Sequence, residues 1–177
     1  VPPGDRDTFD RLINTQPVST AIHLGAGTFL TKGSTAGNPV RLKDGCSLLG
    51  SGIGVTVVKL ADGALSGGIG STLQVGTSGP AGGFHHCVRD LTVDSNFAAQ
   101  PGAGSVNGIS GVGHSFLVED VELINLGSRA GEAFGIFIGN FDGSDVARPS
   151  HVVIRNCKVH KPWPESSAGF SAITPTG

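Results

Sequence analysis

Three segments in the second half of the chain alternate apolar and polar residues on both sides of one turn-prone position. They are Val88-Arg89-Asp90-Leu91-Thr92-Val93-Asp94-Ser95, Val118-Glu119-Asp120-Val121-Glu122-Leu123-Ile124-Asn125 and Ile154-Arg155-Asn156-Cys157-Lys158-Val159-His160-Lys161. A period of two is the strand period, so each segment predicts a strand, a sharp corner and a second strand. Asp90, Asp120 and Asn156 hold the corner, and their residue types enter the left-handed backbone region at low cost. Three earlier stretches share the spelling but end on glycine: Ile22 to Gly27, Val40 to Gly45 and Val58 to Gly63, starting 18 residues apart. The later anchors Val88, Val118 and Ile154 follow at intervals of 30 and 36. Read as copies of one unit, with Gly27, Gly45 and Gly63 at the same corner, these stretches predict a solenoid of parallel strands.

Stacking converts the repeat into columns. Val88, Val118 and Ile154 form an expected inner column before the corner, and Leu91, Val121 and Cys157 another just past it, which Cys46 joins after Gly45. Arg89, Glu119 and Arg155 fall outside in alternating sign, so neighbours about 4.8 Å apart attract. Thr92, Glu122 and Lys158 form a further outer column, with Glu122 and Lys158 expected as a surface ion pair, and Asp94, Ile124 and His160 the next. His86 aligns with Phe116 and Val152, which points it inward as a structural histidine.

The ends differ from the middle. Asp5 to Asn14 begins with a helix N-cap signal and sets Phe9, Leu12 and Ile13 on one side, which predicts a short amphipathic helix over the first coil. Residues 1–20 are therefore expected as a cap and 21–177 as coils. At the other end a new strand begins at Ile173 with no cap in view. That is the expectation for an excerpt, a processed piece, or a coil stack covered by further coils or an oligomer partner. The chain has no Met, so processing or truncation at the front is expected, and a removed secretion signal fits.

Composition narrows the classes. With 177 residues, 38% of them hydrophobic, the chain suits one domain with a core and not a disordered one. The 29 glycines have no three-residue period, which excludes collagen. A net charge of −2 leaves no basic footprint for nucleic acid, and no apolar run is long enough for a membrane span. Cys46, Cys87 and Cys157 follow no metal-ligand spacing. Cys46 and Cys157 read as buried free thiols, and a disulfide is open only to a pair that includes Cys87.

The stretches IHLGAGTFLT and VRLKDGCSLLGSGIGVTVVKL, with Leu48, Gly50 and Gly52 spelling Leu-x-Gly-x-Gly, resemble the opening coils of the pectate-lyase-like superfamily. That resemblance implies an all-β, single-stranded right-handed parallel β-helix with a short N-terminal capping helix. It also implies a scaffold that hosts lyases, hydrolases, epimerases, tailspikes and adhesins, commonly in an extracellular or cell-surface setting. The polygalacturonase hallmarks are absent, Gly113-His114-Ser115 being only a partial echo of one. The calcium-binding acids of a pectate lyase cannot be mapped position by position.

Chemistry is expected in the loops. DSNFAAQPGAGSVN, LGSRAGEAF and KPWPESSAGF each precede a predicted strand, at Gly108 to Val112, Gly135 to Ile138 and Phe170 to Ile173, and a loop from Asn140 to Pro149 follows the middle one. Two loop banks beside one strand face would form a groove. Arg129, Glu132 and Asp142 are its expected catalytic residues, because an acidic sugar needs a guanidinium and glycoside hydrolysis needs two carboxyls. Trp163, Glu165, Phe97, Phe137 and Ser110 are its expected substrate contacts, with Trp163 either a stacking platform or a lid over the coil. Asn140, Asp142 and Asp145 offer oxygen ligands to calcium, although the full twelve-residue loop pattern is missing. Two functions are thus expected in competition: a polysaccharide lyase, hydrolase or epimerase, and a non-catalytic binding or structural solenoid.

Overall fold

The computed structural model describes residues 6–35, 40–76, 85–112, 114–129, 133–139, 151–160 and 170–175, with residues 6 and 170–175 described by their backbone alone. It opens with helix α1, Arg6–Thr15, which lays Phe9 and Ile13, both buried, and Leu12 against the first coil as the apolar spacing predicts. The Phe9 ring centre lies 6.0 Å from that of Phe29. The helix also buries a carboxylate that the apolar pattern does not announce. Asp10 accepts hydrogen bonds from Thr31 Oγ1 at 2.7 Å and from the Lys32 amide at 3.0 Å. Burial raises its pKa, and these two hydrogen bonds work in the opposite direction.

The chain then winds through β1 (Ala21–His23), β2 (Gly27–Thr31) and β3 (Arg41–Leu42), and above them β4 (Ser47–Leu49), β5 (Thr56–Leu60) and β6 (Ile69–Val75). The next coil fuses two strands into β7 (His86–Asp94) before β8 (Ser105–Gly111), and the one above repeats this with β9 (Ser115–Ile124), β10 (Gly127–Ser128) and β11 (Ala133–Ile138). The last described strands are β12 (His151–Arg155), β13 (Lys158–Val159) and β14 (Phe170–Pro175). One sheet stacks β1, β4, β7, β9 and β12 in one arm and β2, β5, β7, β9 and β13 in the other. The second sheet stacks β3, β6, β8, β11 and β14. These pairings are parallel; among the described residues the two-residue β10 runs antiparallel beside the start of β8, and an isolated antiparallel bridge joins Ser34 to Ser71. The molecule is a parallel β-solenoid, its core filled by the inward side chains of both sheets.

The corner between the two arms is the one expected. Asp90, Asp120 and Asn156 have φ of 59°, 51° and 54°, in the left-handed region. Ile22, Leu48, Val88, Val118 and Ile154 follow one another in register inside the coil, with Leu91 and Val121 at 0% exposure past the corner and Cys157 half-buried.

The glycine-ended copies are a different matter. Gly45 precedes β4 and Gly63 follows β5, so neither occupies the corner of Asp90, although both have positive φ. The 18-residue interval therefore joins non-equivalent positions: Ile22 lies in the first arm, Val40 before the second sheet and Val58 in the second arm. The physical reason is that each coil has several left-handed turns, and all of them select the same residue types. Cys46 accordingly belongs to another column. With Ser47 beside Cys87, it is level with His86 and not with Leu91. The three cysteines are free.

Candidate functional site

The second sheet carries the strand face on which the sequence places the groove, and its local geometry explains that face. Ser71, Asn107 and Phe134 are in register, and so are Arg41, Gln74, Ser110 and Phe137. Leu73, Ile109 and Ile136 between these two columns point into the core. Thr72 also turns inward, to Ser95 Oγ at 2.9 Å. Inward positions thus come two at a time, and the outward positions fall at i and i+3 instead of i and i+2. Gly108 permits this bend, because a Cβ there would lie 2.3 Å from Leu123 Cδ2 and 2.6 Å from the Gly135 carbonyl oxygen.

The bend brings outward side chains of neighbouring columns together. Ser71 and Ser110 share a hydroxyl–hydroxyl hydrogen bond of 2.5 Å, Ser34 donates to Gln74 Oε1, and Asn107 Oδ1 accepts from the Phe134 amide at 2.9 Å. Phe134 and Phe137, both half-buried, tilt toward each other with ring centres 5.2 Å apart. The floor is therefore hydroxyl- and amide-lined, with Arg41 at its lower end and an aromatic pair on β11. Ser110 and Phe137 are neighbours there as expected, but Ser110 is 2% exposed and engaged by Ser71.

Phe97 and Arg129 hold positions that their loop placement does not suggest. Phe97 begins a short 3-10 turn, Phe97–Ala99, and is 1% exposed in a satellite core with Leu60, Leu65, Ala103 and Val106. It offers no exposed platform. Arg129 places its guanidinium 4.2 Å from the centre of that ring and donates from Nη1 to the carbonyl oxygens of Gln100 at 2.8 Å and Ala103 at 3.1 Å. Gln100 in turn accepts from the Leu65 amide and donates to the Ala61 carbonyl. The guanidinium is thus a strut of the loop before β8. Glu132, Asn140, Asp142, Asp145, Trp163 and Glu165 lie outside the described residues.

The outer columns near the corner hold the charges. Arg155 Nε meets Glu119 at 2.6 Å as the alternation predicts, and this hydrogen bond draws the Glu119 pKa down, whereas Arg89 turns to Asp90 of its own strand at 3.0 Å. Glu122 pairs with His160 Nε2 at 2.8 Å instead of with Lys158, its partner in register. Thr92 points outward as expected and is covered by the turn below, whose Gly54 amide donates to its hydroxyl at 2.9 Å.

Two further left-handed turns, one residue out of step with each other, lie past the corner. Asn96 and Asn125, with φ of 44° and 55°, close the second arm. Asn125 Nδ2 donates to Asp94 Oδ1 at 2.8 Å, and Asn96 Nδ2 to the Leu60 carbonyl and to Asp62 Oδ1. Their signal was present in Asp94-Ser95-Asn96 and Leu123-Ile124-Asn125, where an asparagine ends each alternating run.

Inside the coil, His86 stacks on Phe116 with ring centres 5.0 Å apart, in the inward column predicted for it. Neither ring nitrogen has a hydrogen-bond partner. Among the described residues no cluster of His, Cys, Asp and Glu is arranged to hold a metal, and no helix is long and apolar enough to cross a membrane.

No family model, curated protein or solved structure matches this chain.

Proposed function

We propose that this chain is a polysaccharide-binding β-solenoid whose ligand lies along the outward face of the second sheet, the coil stack serving as rigid support and not as catalyst. The observation that carries the reading is the half-buried pair Phe134 and Phe137 beside Asn107 and Ser110. An aromatic face stacks on the apolar face of a sugar ring, and the half-buried Gln74 amide two rungs below Phe137 suits sugar hydroxyls. The commitment of Arg129 to two carbonyls and the Phe97 ring supports a binding role over a catalytic one.

Carbohydrate cleavage, on the pectate-lyase-like pattern, is the second reading. Its support is the order of the chain: Glu132 directly precedes β11, and Asn140, Asp142 and Asp145 follow it. Calcium held by those last residues belongs to this reading, and an extracellular or cell-surface setting belongs to both.

Calorimetric titration with a panel of neutral and uronate oligosaccharides tests the first reading. Phe137→Ala is expected to weaken binding by about 1–2 kcal/mol with the fold intact. Equal affinity in both proteins would reject the site. New reducing ends, or the absorbance of unsaturated products, would move the assignment to the enzyme.

A further inference from the structure

His86 stands out among the buried polar groups. Its side chain is 2% exposed, stacked on Phe116, and both Nδ1 and Nε2 lack a partner. A neutral imidazole tolerates such a site at the cost of its unmade hydrogen bonds, whereas an imidazolium also needs a counter-charge or solvent.

The surroundings offer little of either. On the β4 side, Cys46 is level with His86, and its thiol is already donated to the Pro17 carbonyl at 3.2 Å. On the β9 side, Phe116 lies face to face with the ring, and Val152 of β12 follows in the same column. Across the coil, the backbone at Gly76 closes on Nε2, since a Cβ there would fall 3.0 Å from it and 1.9 Å from the Val112 carbonyl oxygen. The charged groups that act on the ring are Asp44, which favours its protonation, and His85 just before β7, which opposes it.

We propose that His86 is an acid-sensitive latch: protonation is incompatible with its native packing, so acidification loosens the coils that meet at β7. The site joins both sheets, because His86 belongs to β7 of the first and lies against Gly76 at the end of β6 of the second, where the Gly76 and Val112 amides donate to the Leu42 and Val75 carbonyls. A molecule built this way keeps its stack in neutral surroundings and yields it in an acidic compartment.

The sign follows from linkage. The unfolded chain takes up the proton near the ordinary imidazole value of 6.5 and the native chain only at lower pH. Below that value the unfolded-to-folded ratio therefore rises up to about tenfold per pH unit, until the native pKa is reached.

Urea melts of the wild-type chain and His86→Phe between pH 7.5 and 5 test the latch. On acidification the wild type is expected to lose stability more steeply than His86→Phe, the two equilibrium constants diverging by up to about tenfold per pH unit. Parallel pH profiles would overturn the proposal. A second measurement holds even if His86→Phe fails to fold. The His86 imidazole resonances of the native wild-type protein should stay those of the neutral ring below the ordinary value of 6.5, and a native titration midpoint near 6.5 would overturn it.

Discussion

Arg129 spans the gap between two coils, with its guanidinium 4.2 Å from the centre of the Phe97 ring and its Nη1 bonded to the Gln100 and Ala103 carbonyls. Three interactions converge on one cation, and all three hold the loop that feeds β8. Arg129→Ala is expected to cost about 1–2 kcal/mol, measured by urea denaturation. Arg129→Lys should recover less than half of that, because an ammonium cannot stack flat on the ring while donating in the same plane. Full recovery with lysine would reduce the contact to simple charge.

The alternation around the second corner separates two neighbours energetically. Val121 has 0% exposure, so Val121→Asp forces an unpaired carboxylate between rungs and should cost several kcal/mol, on the order of a domain's whole margin. Glu122→Ala removes a partly exposed partner of His160 and should cost less than about 1 kcal/mol. Equal losses in parallel melts would mean that the inner and outer faces are exchanged.

Two glycines near the first turns should respond oppositely to one added methyl group. A Cβ on Gly50 would lie 2.1 Å from the Asp90 carbonyl oxygen, a backbone atom one rung above that cannot swing away. Gly50→Ala should therefore destabilise by about 2 kcal/mol or more. Gly25 has nothing within 4 Å of the same position and no positive φ, so Gly25→Ala should be neutral or stabilising by up to about 1 kcal/mol. Thermal melts of Gly50→Ala and Gly25→Ala decide the matter.

Asp10 predicts a pH dependence on the acidic side. Burial raises its pKa above the ordinary 3.8, so the native state holds this proton more tightly than the unfolded chain. Its contribution to stability is fully present below pH 3.8 and is lost as pH rises through the native value. Asp10→Asn removes that titration, and its stability relative to wild type should climb as pH rises across this window, even though the amide loses one acceptor toward Lys32. A constant difference between the two proteins across the window would show that the carboxyl titrates alike in both states.

The alternating runs around Asp90, Asp120 and Asn156 were legible because corner, inner and outer positions all leave local marks on the chain. The same holds for α1, where Phe9, Leu12 and Ile13 fall on one stripe. The bend in the second sheet left none. Ser71 and Gln74, or Phe134 and Phe137, share a face only because Gly108 lets one rung sink against Leu123, and that contact comes from residues far apart in sequence. Arg129 and Phe97 misled for a related reason: loop composition reports exposure on average, whereas a satellite core can close under a loop. The 18-residue interval misled because turn chemistry is shared by every left-handed position of a coil, so spelling alone cannot say which turn it marks.

The corner also has a mechanical meaning. From Arg89 to Thr92 is three steps, whereas the register partners one rung below, Leu49 and Val57, are eight steps apart, and the arms on either side still align. Chain length at this seam is decoupled from strand pairing. The scaffold can therefore gain or lose residues there, as it has between neighbouring rungs, and present a new loop without re-threading its core.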